Sequence, residues 1–204
     1  RHVSWRLSDF LYPEALAEVV RTRIDWDRIR SNLASGHLEA LTVTATDLGT
    51  GRAVVFVQSR QPVPSWSRDP LVEVRTGPIG PEHALASGAL PLLFRPVRIG
   101  DGWFSDGSIR QATPIAPALR LGADRILVVA MRYQGAPEAP PPQPADEAPS
   151  TASQLGRVLN ALHLDHTDYD LDRLRRLNAL LDQGEQAFGP GFAAQFNAVA
   201  MRTL

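Results

Sequence analysis

Apolar residues in this chain recur first at helical spacing and then at every second position. Leu16, Val19, Val20 and Ile24 share one face of a 3.6-residue repeat, with Pro13 suited to the first turn. Asp25 to Leu33 continues as a second short helix or a turn. Leu41, Val43 and Ala45 then alternate with Thr42, Thr44 and Thr46, the pattern of a strand rich in β-branched residues. Asp47-Leu48-Gly49-Thr50-Gly51 turns the chain, and Arg52 to Val57 returns as a second strand. Ser59 to Pro70, with three prolines, reads as a loop. Pro81 to Ser87 predicts a short helix opened by its proline and closed by Gly88. From Leu92 to Phe104 the chain reads as a hairpin, Gly100-Asp101-Gly102 joining Pro96–Ile99 to Trp103-Phe104.

Thr113-Pro114 opens a further helix, with Thr113 able to cap the first amides, and Gly122 closes it. Arg125 to Met131 follows as a continuous apolar run. That pattern suits a parallel strand covered on both faces. Gly135 to Pro149 is a proline-rich, weakly acidic linker. Beyond it, Leu155, Val158, Leu159 and Leu162 mark one amphipathic helix, Leu171, Leu174, Leu177, Leu180 and Leu181 a second, and Phe192, Phe196 and Val199 a third. The expected organisation is an α/β unit over residues 1–134, a linker over 135–150 and a helical segment over 151–204.

Composition narrows the function classes. A formal net charge of −1 leaves no basic excess to neutralise phosphates, so nucleic acid is not an expected partner. Every basic residue is arginine, which excludes lysine-based chemistry within these residues. The absence of cysteine excludes disulfides, thiolate nucleophiles and cysteine-ligated zinc. The longest apolar run, Ile126 to Met131, is far short of the roughly 20 residues of a spanning helix.

The most informative chemistry lies at Phe104-Ser105-Asp106-Gly107, a carboxylate at a strand end followed by the residue that best permits a sharp bend. Taken alone, Asp106 reads first as the cap of a turn. Its neighbours add weight. Leu41-Thr42-Val43-Thr44-Ala45-Thr46-Asp47-Leu48-Gly49-Thr50-Gly51-Arg52 resembles the central strand and turn of patatin-like phospholipases. His83-Ala84-Leu85-Ala86-Ser87-Gly88-Ala89-Leu90-Pro91-Leu92-Leu93-Phe94 resembles that family's Ala-Ser-x-Ala-x-Pro-x-x-Phe segment, and Phe104 to Gly107 its catalytic Asp-Gly turn. Pro114 onward, with Leu121-Gly122-Ala123-Asp124 before an apolar strand, resembles the helix and strand that follow. These segments stand in the family's order and spacing.

The resemblance implies part of a three-layer α/β/α sheet followed by C-terminal helices. It also implies a lipid acyl hydrolase using a Ser-Asp dyad and no cofactor or metal. Asp106 would be the dyad partner and Gly107 would shape its turn, with a phospholipid or other acyl ester as substrate. The family's serine sits in a Gly-x-Ser-x-Gly elbow, and a glycine-rich loop supplies oxyanion amides. Neither pattern occurs in these 204 residues. The resemblance therefore places the chain as the C-terminal portion of such a protein, with the nucleophile and oxyanion loop on a missing N-terminal segment. Such a sheet is expected to expose its strands at Leu41–Thr46 and Arg125–Met131. Ser108 stands where the family usually has glycine or alanine. A function of another class stays open, a non-catalytic lipid-binding or regulatory protein on the same fold.

Other candidates compete with Asp106. Ser87 and Ser105 are substitute nucleophiles on paper, although Ser105 should face away from Asp106 because strand side chains alternate. His83 reads as a helix residue facing solvent or a loop, with proximity to the site as the alternative. His163 and His166 lie three apart among Asp165, Asp168 and Asp170, as zinc ligands or as the polar start of the leucine-striped helix. Asp101 with Asp106 fits no calcium-loop spacing. Trp66, Trp103 and the C-terminal helices are candidates for peripheral membrane contact or for ordinary core packing.

Overall fold

The computed structural model describes residues 13–64, 70–91, 93–109, 115–129, 154, 156, 172 and 175–196. Helix α1 (Pro13–Arg23) leads into α2 (Trp26–Ser35). Asp25 caps α2 by accepting the Arg28 amide at 2.8 Å, and Gly36 ends it at φ +79°. The indole of Trp26 donates to the Val20 carbonyl at 3.0 Å, tying the two helices together.

Strand β1 (Ala40–Asp47) and β2 (Ala53–Ser59) form the antiparallel pair that the Thr-rich alternation predicts, with Ala45 opposite Val54. A third strand, β3 (Val72–Thr76), runs parallel to β2. The sequence reading passed over it, although Val72 and Val74 alternate with Glu73 and Arg75. Helix α3 (Pro81–Ser87) follows, and β4 (Val97–Ile99) and β5 (Gly102–Asp106) make the expected hairpin, turning at Gly100 with φ +58°. A 3₁₀ turn (Gly107–Ile109) and helix α4 (Ile115–Arg120) follow, and Gly122 ends α4 at φ +90°.

The strands form one mixed sheet in the order β3-β2-β1-β5-β4, so with its flanking helices the fold is α/β as expected. Helix α3 packs on β1, β4 and β5. The core beneath it joins Ala45, Val54, Phe56, Ile79, Ala86 and Phe104. Phe56 meets Phe104 edge to face at 5.4 Å, a geometry worth about 0.5–1.5 kcal/mol beyond area burial. Ala53 to Val57 are all buried, which explains why β2 is a continuous apolar run and not an alternating one.

Two expectations are corrected. Strand β1 is not exposed: it lies at the middle of the sheet, paired with β2 along its length and with β5 over Ala45, Thr46 and Asp47, and its last four residues are buried. Residues 125–129 form no strand, and Leu127 and Val129 are 89% and 88% exposed. Among the described residues they join no ladder, and an apolar run without a paired neighbour has no reason to become a strand. The linker expected over 135–150 lies outside the described residues. Residues 175–188 and 192–196 are helical, and the Phe192 ring packs so closely on Gly184 that a Cβ there would lie 2.1 Å from it. No helix among the described residues is long and apolar enough to cross a membrane.

Candidate active site

Asp106 ends β5 directly opposite Ala45 of β1, with Ser105 opposite Thr46 and Phe104 opposite Asp47. The backbone of Asp106 is held from two sides. Its carbonyl accepts the Thr46 hydroxyl at 2.8 Å, and its amide donates to the Ala89 carbonyl at 2.9 Å. Its carboxylate accepts the Ser108 amide at 2.8 Å. That last bond is what a turn-capping aspartate makes, but here the residue is only 7% exposed. A carboxylate withdrawn this far from water and aimed by a backbone amide is oriented before any ligand arrives.

Gly107 supports this turn for a steric reason. A Cβ at that position would lie 2.4 Å from the Thr44 carbonyl oxygen and 2.8 Å from its carbon, well inside contact distance. The chain leaves β5 by passing against the β1 backbone, and only a residue without a side chain fits. Next to this crossing the Thr44 hydroxyl is buried without a hydrogen-bond partner.

A second buried aspartate stands at the end of β1. Asp47 Oδ1 accepts the amides of Gly49 at 2.8 Å and Thr50 at 3.3 Å, while Oδ2 meets the Arg75 guanidinium at 3.4 Å. Arg75 also binds Glu73 at 2.7 Å and lies 5.4 Å from the centre of the Phe104 ring. The bond to Glu73, with the Asp47 charge behind it, holds the guanidinium above its ordinary value despite partial burial. His83 closes the other side of Phe56, ring to ring at 4.7 Å, and its Nδ1 accepts the Gly80 amide at 3.0 Å. Burial pushes this imidazole below its ordinary value, against the opposing pull of Glu82. The solvent-facing reading of His83 is thus corrected: it is a buried histidine that caps the start of α3.

A family model for patatin-like phospholipases matches residues 6–119, more than half of the chain. The chain belongs to the patatin-like phospholipase family. The search of curated proteins finds no match. The matched span covers β1, α3 and the Asp106 turn, the segments on which the sequence resemblance rested. Patatin-like phospholipases are generally lipid acyl hydrolases, which sets the class of chemistry to be considered at this site.

The remaining candidates of this patatin-like chain fall as follows. Ser105 is buried and donates its hydroxyl to the Ala89 carbonyl at 2.6 Å, and its ladder position puts it on the opposite sheet face from Asp106. Ser87 is the half-buried last residue of α3. Asp101 sits exposed at the hairpin tip, far in character from the buried Asp106. Trp103 is 53% exposed, whereas Trp66 lies outside the described residues. His163 and His166 also lie outside them, and among the described residues no three His, Asp or Glu side chains gather as a metal site would require. Sequence reasoning missed Thr46 and Ala89 as the groups that fix Asp106. Their contributions run through a hydroxyl and a carbonyl that only the ladder register brings to the turn.

Proposed function

We propose that this chain carries the acid half of a lipid acyl hydrolase site, with Asp106 as partner of a serine nucleophile supplied from outside these 204 residues. The observation that carries the reading is the buried Asp106 carboxylate, aimed by the Ser108 amide on a turn that only Gly107 can form. In this reading Asp106 accepts a hydrogen bond from the serine hydroxyl. The serine oxygen attacks the ester carbonyl carbon and its proton passes by way of the carboxylate to the departing alcohol. Water, activated by the same carboxylate, then attacks the acyl-serine, releasing the fatty acid and restoring the hydroxyl. The substrate is a phospholipid or another acyl ester, and no metal or cofactor takes part. The Ser elbow and oxyanion loop belong to a segment N-terminal to these residues, and the exposed Trp103 is a point of peripheral membrane contact.

The test is hydrolysis of a chromogenic ester by the intact protein and its Asp106→Asn variant. The reading expects near-complete loss with the fold retained, and undiminished turnover would overturn it. One observation favours a second reading, a non-catalytic lipid-binding protein: no Gly-x-Ser-x-Gly occurs in the chain. A fluorophosphonate probe on the intact protein separates the two, because only an activated serine is labelled.

A further inference from the structure

His83 stands between two partners that it cannot hold at once. Its Nδ1 accepts the Gly80 amide at 3.0 Å, and Oε1 of Glu82 lies 3.3 Å from the same nitrogen. A ring nitrogen that accepts an amide carries no proton, so the imidazole is here neutral with its hydrogen on Nε2. Glu82, a half-exposed carboxylate on the first turn of α3, then faces a lone pair. Once protonated, Nδ1 becomes a donor, repels the Gly80 N–H and finds its acceptor in Glu82. Arg75 of β3 lines a cavity of about 180 Å³ with His83, and its guanidinium, held by Glu73 and Asp47, opposes charge on the ring. The other charges around α3 lie elsewhere. Arg98 of β4 bends to the Gly100 carbonyl, Asp106 of β5 stands at the Ala89 end, and Glu14, Glu18 and Arg21 of α1 share a cleft with Leu85 and not with His83.

Helix α3 is about two turns long, and the chain leaving it reaches the site. The Ala89 amide donates to the Ala86 carbonyl at 3.2 Å, and the Ala89 carbonyl accepts the Asp106 amide at 2.9 Å and the Ser105 hydroxyl at 2.6 Å. A second path runs through the rings, His83 on Phe56 and Phe56 on Phe104, two residues before Asp106. We propose that His83 is a positioning residue for Asp106 and a proton-operated latch: neutral, it caps α3 and keeps the Ala89 clamp in place; protonated, it exchanges Gly80 for Glu82 and releases the clamp. This role rests on the reading of Asp106 as the acid half of an ester-hydrolysing site, and makes that site one that works at neutral pH and shuts off in acid. Burial favours the uncharged ring, so the latch stays closed to a pH below the ordinary histidine value of about 6.5.

The experiment follows p-nitrophenyl butanoate hydrolysis by the intact protein from about pH 8 to about pH 5, with circular dichroism confirming the fold throughout. His83→Asn puts a neutral carbonyl acceptor near the Nδ1 position, and Glu82→Gln removes the counter-charge. The second readout is hydrogen-exchange protection of the Gly80 and Asp106 amides, corrected for the intrinsic rate at each pH. The unaltered protein should lose about tenfold in kcat one pH unit below the midpoint of a single-proton acid limb, and both amides should lose protection through the same midpoint. His83→Asn should stay within about twofold of its own neutral-pH kcat across that limb and keep both amides protected. Glu82→Gln should move the midpoint to lower pH, because the charged ring loses its acceptor. Identical acid limbs in all three proteins, with hydrolysis lost in Asp106→Asn, would overturn the latch and leave Asp106 in its role. Should His83→Asn fail to fold, an unmoved midpoint in Glu82→Gln overturns it equally. If the intact protein hydrolyses no ester, yet the Asp106 amide loses protection in acid only while His83 is present, the latch stands and the reading of Asp106 falls. Protection that ignores pH, or falls alike with and without His83, overturns the latch whatever the activity.

Discussion

Asp47 and Asp106 end neighbouring strands of one sheet, are 6% and 7% exposed, and each accepts the amide two residues ahead at 2.8 Å. Locally they are the same device, an aspartate closing a turn. Their settings differ. Asp47 takes two amides on one oxygen and the Arg75 guanidinium on the other, and behind Arg75 stands Glu73. It holds together the β1–β2 turn and β3. Asp106 instead has its backbone clamped between Thr46 and Ala89, and Gly107 beside it runs against bare backbone. A buried carboxylate at a turn is thus not diagnostic by itself. The surroundings separate the two: one carboxylate is tied to a guanidinium, the other sits on a turn clamped through its backbone.

The sharpest way to break this comparison is to neutralise each carboxylate in turn. Asp106→Asn keeps an acceptor for the Ser108 amide, so the fold should persist while ester hydrolysis falls roughly 100- to 10,000-fold, the usual range for a lost acid–base group. Asp47→Asn should leave turnover per folded molecule unchanged and lower stability by about 1 kcal/mol, a modest figure because the Arg75 side chain is 38% exposed. Steady-state kinetics and urea unfolding on both variants check the pair. If Asp47→Asn silences hydrolysis and Asp106→Asn does not, the two roles are reversed.

The glycines that follow the aspartates give the next contrast. Gly107→Ala forces a methyl group to 2.4 Å from the Thr44 carbonyl and should destabilise by about 3 kcal/mol. Gly49→Ala meets only the Asp47 carboxylate oxygen at 3.2 Å, a side-chain atom that can shift, and should lose less than about 1 kcal/mol. Equal midpoints for the two variants in chemical denaturation would remove the steric argument for Gly107. Smaller still, Arg75→Met removes the partner of Asp47 and Glu73 while retaining packing on Phe104. It should lower stability by about 1 kcal/mol, and the loss should shrink in an Asp47→Asn background if the pair is coupled.

The smallest effect is on the pH dependence of stability. The folded-state pKa of His83 is depressed by burial, so between that value and the ordinary one of about 6.5 the unfolded chain binds more protons than the folded chain. Stability from this group is complete above the ordinary value and is lost as pH falls through that window. The melting temperature should decline on acidification and decline less in His83→Gln. A histidine that faced solvent would give the two proteins the same slope.

Much of the architecture was legible in the pattern of residues because it rests on local rules. The Thr-rich alternation gives β1, the Gly100-Asp101-Gly102 turn gives the β4–β5 hairpin, and Pro81 and Gly88 bound α3. Strand β3 was missed because five residues of Val, Glu, Val, Arg and Thr carry too little periodicity to stand out, and its stability comes from pairing with β2. Arg125 to Met131 misled in the opposite direction. Its apolar run is strong, but a strand needs a neighbour, and residues 125–129 have none among the described residues.

For the site itself, the amino-acid order by itself determined that an aspartate followed by glycine closes β5, since a two-residue preference for a bend is local chemistry. It also supplied the ordered segments that agree with the family to which the chain belongs. Tertiary structure alone decided that Asp106 is buried, that Thr46 and Ala89 fix its backbone, and that Gly107 passes against Thr44. Each of these depends on strand register and helix packing between residues distant in the chain, such as Thr46 and Asp106, 60 positions apart. Such contacts are selected by the burial of the whole core, and no local pattern in the chain encodes them.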